Sequence, residues 1–135
     1  MSNALYDYAR EGYLSGGLNW LTDDVRAVLV DAGQYVVNLS THQFLVQVPT
    51  LARISVSTSL TAKTATAGVA DAAEVTFLGV SGATVEALVL YRHTGTDATS
   101  RLICYIDTAV GLPFTPTGGN VVVRWDPGAS RIFKL

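Results

Sequence analysis

The sequence predicts an all-β fold: an antiparallel sandwich or barrel of about eight short strands with one short helix at its start. Three observations predict it. Runs rich in Val, Ile, Leu and Thr recur with turn residues roughly every eight to twelve positions. All four prolines fall between these runs, where no ladder hydrogen bond is lost. The 135 residues suffice to close one core without disulfide or metal. Residues 1–135 are therefore read as a single β-sandwich domain, with residues 1–17 as an N-terminal helical segment.

The elements follow in order. Ala4 to Leu14 is read as the helix, with Asn3 as cap and Asp7 near the positive end of its dipole. Gly12 weakens it, and Gly16-Gly17 stops it. The run VRAVLV from Val25 is apolar on both faces, the mark of a central strand. Gln34 to Leu39 is a short extended piece. Thr41 is placed as the cap of a helical turn through Phe44 and Leu45, ended before Pro49. From Arg53 to Leu60 the pattern alternates, with Ile54, Val56, Thr58 and Leu60 on one face and Arg53 and the serines on the other. Thr61 to Ala70 is a further candidate strand. Strands are also expected at Glu74–Val80, Val85–Arg92, Leu102–Asp107, Val121–Trp125 and Arg131–Leu135. Val85–Arg92 and Leu102–Asp107 are expected to form a hairpin across Gly95-Thr96-Asp97-Ala98, tied by Thr96, Asp97, Thr99 and Ser100. An Asp126-Pro127-Gly128 turn joins the last two runs.

Composition narrows the function classes. Charged residues make up 15% and apolar residues 49%, against about 25% charged in ordinary domains. So plain a surface suits a chain that lies against another protein. The net charge is −2 and no basic run exists, which argues against direct nucleic-acid contact. No apolar stretch reaches the roughly 20 residues that span a bilayer. The start MSNALYDYAREGYL lacks a basic-then-apolar leader, so synthesis and residence in a cytoplasm are expected.

No catalytic, cofactor or metal site is predicted. The single cysteine, Cys104, sits inside the apolar run LICYI and reads as a buried, inert thiol. His42 and His93 are the only histidines, and neither spacing nor company makes them ligands or bases. Asp23, Asp24, Asp31, Asp71, Asp97, Asp107 and Asp126 all fall at strand ends, where aspartate accepts local backbone bonds. The glycines form no phosphate loop. Aromatic residues crowd the first part of the chain, at Tyr6, Tyr8, Tyr13, Trp20 and Tyr35, and such residues are favoured in interfaces.

Four stretches together carry a resemblance: NALYDYAREGYLSGGLNWLTDDVRAVLVD, YVVNLSTHQFL with the following VPTLAR, GTDATSRLICYIDTAVGLPFTPTGG, and VVVRWDPGASRIFKL. In this order and spacing the chain resembles a family of small virion structural proteins of tailed bacteriophages. The resemblance covers nearly the whole chain. It implies a jelly-roll-like antiparallel β-sandwich acting as a capsid cement, or decoration, protein. Such a protein lies on the outer capsid surface of the virion, bridges major capsid protein subunits and forms a homodimer or other small homo-oligomer. It is assembled in the host cytoplasm. Some relatives carry tail or fibre labels, so a tail, collar or fibre role is the alternative.

No catalytic residue comes with the resemblance, and an enzyme is not expected. A carbohydrate-binding module is a further alternative, which would show Trp20 or Trp125 on an exposed aromatic platform. The residues expected at a protein interface are Leu5, Tyr6, Tyr8 and Tyr13 in the N-terminal segment and Pro113, Phe114 and Pro116 in the late loop. On that expectation, removing the residues before Gly16 weakens attachment more than folding.

Overall fold

The computed structural model describes residues 4–106, 114–123, 125 and 132–134. Asn3, Asp107, Pro113 and the Asp126-Pro127-Gly128 turn lie outside the described residues. Among the described residues the protein is mostly β with one short α-helix, as an all-β fold requires, and every strand pairing is antiparallel.

The strands are β1 (Ala4–Leu5), β2 (Val25–Val30), β3 (Arg53–Val56), β4 (Thr64–Thr66), β5 (Val69–Asp71), β6 (Val75–Phe77), β7 (Ala87–Arg92), β8 (Leu102–Ile106), β9 (Val121–Val123) and β10 (Phe133–Lys134). Helix α1 covers Asp7–Ser15. A five-stranded sheet has the order β1-β8-β7-β2-β3; β10-β5-β4 and β6-β9 form two smaller sheets. The expected hairpin of β7 and β8 is present. Among the described residues the last two runs pair elsewhere and not with each other: β9 joins β6, and β10 joins β5.

The centre of the large sheet is buried on both faces. All five residues of β8, five of six in β7 and five of six in β2 are buried, as their continuous apolar runs require. The face of β8 away from the rest of the core is covered within the chain, because α1 packs on β8.

That packing corrects the N-terminal expectation. Helix α1 begins at Asp7, while Ala4 and Leu5 are a strand whose partners are Tyr105 and Cys104. Tyr6 adopts extended backbone before the helix and supplies no side-chain cap. Instead, the Asp7 amide donates to Leu39 O at 2.8 Å, so a distant loop carbonyl satisfies one orphan donor of the helix. Gly12 is buried against Leu18, whose side-chain carbons would lie 2.8 and 2.9 Å from a Cβ placed there. Its poor helix propensity is offset by this close approach.

The 53–60 segment also departs from strict alternation. Strand β3 ends at Val56, which is 47% exposed, and Ser57 turns inward to full burial. The Ser57 amide donates to Ala27 O at 2.8 Å, and the Ala27 amide donates to Ser57 Oγ at 2.9 Å. A hydroxyl thus replaces the carbonyl that a continuing strand would offer. Polar Ser57 is buried because a ladder position needs its acceptor.

The Thr61–Ala70 candidate strand resolves into a hairpin of β4 and β5, with Thr66 opposite Val69. Its two loop residues, Ala67 and Gly68, have φ of 53° and 79°. This left-handed pair matches the twist of a two-residue hairpin, and alanine is a poor choice for the first position. The helical turn expected near Phe44 is a 3-10 turn, Leu45–Gln47, with a second at Thr50–Ala52. Thr41 does not cap it; the Gln47 side-chain oxygen accepts from the Phe44 amide at 3.0 Å. Gln34 to Leu39 forms no strand.

Three outcomes are expected in urea denaturation. Ser57→Ala strands the Ala27 amide and costs about 1–3 kcal/mol. Ala67→Asn stabilises by about 0.4–1 kcal/mol, because Asn tolerates the left-handed region. Removal of residues 1–15 abolishes the cooperative transition, since it uncovers β8.

Candidate functional site

The residues expected at an interface are placed differently from one another. Leu5 and Tyr6 belong to the core, at 4% and 0% exposure. They offer no surface to a partner, which corrects that expectation. Tyr8 is half-buried, and Tyr13 is partly buried against the core. Phe114 is partly buried and exchanges backbone hydrogen bonds with Val85 at 2.8 and 3.0 Å, so it continues the sheet contacts beyond β7. Pro116 is half-buried. Burial explains why aromatic content misleads here: Tyr and Trp fill cores as readily as interfaces.

The tryptophans are anchored in the same way. The Trp20 ring is buried and its indole N–H donates to Asp71 O at 3.2 Å. Trp125 is half-buried and donates to Ala73 O at 3.0 Å. Both bonds end near β5, and neither ring forms the exposed platform that sugar binding would use.

The open surface lies at the opposite edge of the large sheet from β1. The outer edge of β8 is occupied twice: by β1, and by residues 43–45, through Leu102 N–H to Gln43 O at 2.9 Å and Leu45 N–H to Ser100 O at 2.8 Å. Strand β3 ends the sheet on the other side, and no described residue pairs with its outer edge. Because the Ser57 amide points inward to Ala27, alternation turns the N–H and C=O of Val56 outward. Exposed apolar side chains accompany this edge in sequence: Val46 at 56%, Leu51 at 82% and Val56 at 47%. The segment from Ile54 to Ala62 carries no charged residue. Edges are normally blunted by charge, and after Arg53 this one carries none.

Arg53 fixes the approach to the edge. Its guanidinium donates to Leu45 O at 2.7 Å, Val48 O at 3.0 Å and Asp97 Oδ2 at 2.6 Å. One side chain thereby fastens the first 3-10 turn and the β7–β8 turn to the start of β3. That last turn is closed by hydroxyls: Ser100 Oγ donates to Thr96 O at 2.9 Å and accepts from the Thr94 amide at 3.2 Å. Thr94, absent from the expected set, also contacts Thr99 Oγ1 at 2.6 Å. At the other end of β2, burial alone would raise the Asp24 pKa, but hydrogen bonds from Arg26 and Ser59 hold it below the usual carboxylate value.

A second polar cluster sits under the N-terminus. Tyr6 Oη lies 2.7 Å from Tyr35 Oη, which lies 2.9 Å from His42 Nδ1. The Tyr35 ring stacks on His42 and tilts against Tyr105. Sequence spacing could not bring these together, because Tyr6 and Tyr35 meet only when β1 docks on β8. Cys104 is buried, and burial pushes its thiol well above the usual value. Among the described residues, no group of three or more His, Cys, Asp or Glu could hold a metal. No described helix is long and apolar enough to cross a membrane.

No protein-family model and no curated protein matches the chain.

Alkaline pH tests the tyrosine cluster. Burial raises the phenols of Tyr6 and Tyr13 above the ordinary 10.0, and raises Tyr35 to about 12. A phenol that resists ionisation in the folded state contributes its full stability below its unfolded pKa and loses it as pH rises. Unfolding midpoints measured across pH are therefore expected to stay level up to about pH 9 and fall between about pH 10 and 12. Tyr35→Phe reduces the slope of that fall.

Proposed function

We propose that the chain is a structural virion protein of a tailed bacteriophage. It acts as capsid cement on the outside of the mature shell and bridges major capsid protein subunits. The sequence resemblance supplies the biological setting. The observation that carries the proposal to particular residues is the outer edge of β3, which no described residue pairs, with Val56 exposed in the strand and Leu51 exposed in the 3-10 turn that leads into it. An extended segment of a shell protein adds to such an edge through main-chain hydrogen bonds, while the apolar side chains give the contact area. In this proposal the antiparallel sheets close as a jelly-roll-like sandwich that keeps the edge rigid.

The mechanism is thermodynamic. A protein that binds only the expanded shell stabilises that state by mass action. As a dimer it gains further, because the second attachment occurs at high effective concentration. Many modest contacts then resist the outward pressure of packaged DNA. No chemistry is required of any side chain.

Copy number in purified virions decides between head and tail. Quantitative mass spectrometry is expected to find this chain near parity with the major capsid protein. A handful of copies per particle overturns the cement assignment in favour of a tail, collar or fibre role, and absence from the particle overturns both. The edge is tested separately. Val56→Lys or Leu51→Asp is expected to weaken attachment to shells lacking the protein by more than about tenfold, since each buries an unpaired charge on binding. Unfolding midpoints should stay close to wild type. Undiminished attachment by both variants removes β3 from the interface.

A further inference from the structure

Tyr6, Tyr35 and His42 form a hydrogen-bonded chain running from the core toward the surface. Tyr6 is fully buried, Tyr35 is buried, and the His42 ring is half-buried. Two groups meet at His42 Nδ1: the Tyr35 hydroxyl at 2.9 Å and the Asn38 amide, which donates at 3.4 Å. A backbone amide can only donate, so Nδ1 is the acceptor and the neutral imidazole carries its hydrogen on Nε2. The direction of the chain follows. Tyr6 donates to Tyr35, and Tyr35 donates to His42. Two hydroxyl hydrogens fill two links.

We propose that this chain is a proton-operated latch: protonation of His42 Nδ1 breaks it and releases the 36–42 loop from the start of α1. Counting hydrogens gives the reason. With Nδ1 protonated, three hydrogens compete for the same two links. His42 then donates to Tyr35, and one buried hydroxyl hydrogen, on Tyr35 or on Tyr6, has no acceptor within the chain. The Asn38 amide also faces another N–H. A buried donor without an acceptor favours local opening, where water can satisfy it.

The opening would not stop at the imidazole. Asn38 Oδ1 accepts from the Ser40 and Thr41 amides, both at 3.1 Å, and the His42 amide donates to Asn38 O at 3.0 Å. The loop therefore moves as a tight turn with His42 on it. Leu39 O accepts the Asp7 amide, so release of the loop reaches the first turn of α1. Val36, 87% exposed, rides on the same segment.

Tyr35 is the titratable group in contact with His42; further along the chain, Tyr105 on β8 lies by Tyr35, and Tyr105 and Cys104 on β8 lie by Tyr6. On α1, Asp7 is paired with Arg10 at 3.1 Å. No charged side chain among the described residues hydrogen-bonds to the imidazole, and burial lowers its pKa below the usual 6.5. The open state thus takes the proton more readily than the latched one. The latch is closed above about pH 6.5 and is lost as pH falls below that.

Amide hydrogen exchange on the full chain tests this. Protection factors of the Asp7 and His42 amides are expected to fall by about tenfold between about pH 7.5 and about pH 5, while those of β7 hold. His42→Asn places a non-titrating oxygen near the Nδ1 position and should abolish the pH response. Protection factors independent of pH in the native protein, or an equal fall in H42N, overturn the latch. If H42N does not fold, imidazole nitrogen shifts in the native protein decide. Nδ1 unprotonated near neutrality, with a midpoint below 6.5, supports the latch. A proton on Nδ1, or a midpoint at or above that value, overturns it.

Discussion

Three adjacent strands that are apolar on both faces must be covered on both faces and along every edge that is not meant to pair. Strands β2, β7 and β8 impose this constraint, and most of the remaining chain answers it. Helix α1 covers β8, strand β1 and residues 43–45 share its outer edge, and β3 closes the far side. The N-terminal segment is therefore a structural component of the sheet. Tyr6 is fully buried because β1 and α1 pack on β8.

The same constraint explains how polar groups come to lie deep in the protein. Docking β1 on β8 carries Tyr6 into the core with a hydroxyl that needs a partner, and Tyr35 supplies it. Ending β3 at Val56 leaves a β2 amide without a carbonyl, and Ser57 supplies a hydroxyl. Arg53 joins three segments through two carbonyls and one carboxylate. In each case one side chain completes a backbone or hydroxyl requirement created by packing. Against this thorough satisfaction, the outward backbone of Val56 stands out among the described residues. It is the feature that makes a protein partner the natural proposal, and the shell of a tailed phage the setting that the sequence suggests.

The latch and the edge occupy different ends of the large sheet, at β1 and β3. The segment that follows the His42 loop connects the two, because Arg53 at the start of β3 donates to Leu45 O at 2.7 Å.

Much of the fold was legible from residue pattern alone. The runs at Val25, Val85 and Leu102 are apolar on both faces, and only a central strand accommodates that; the glycines and prolines mark turns because their backbones permit or forbid specific geometries. Cys104 was legible as buried for the same reason. The candidate surface was not. Leu5 and Tyr6 looked like interface residues because an isolated aromatic stripe carries no information about which surface it meets. Ser57 looked outward because alternation assumes an unbroken strand. Val56 is an ordinary apolar residue in sequence, and its outward backbone depends on where the sheet ends. Period and composition are local properties, so the sequence by itself determined which segments are strands and which faces are apolar. Edge position, the meeting of Tyr6 with Tyr35 across 29 residues, and the open side of β3 depend on long-range pairing, and only the tertiary structure decided them.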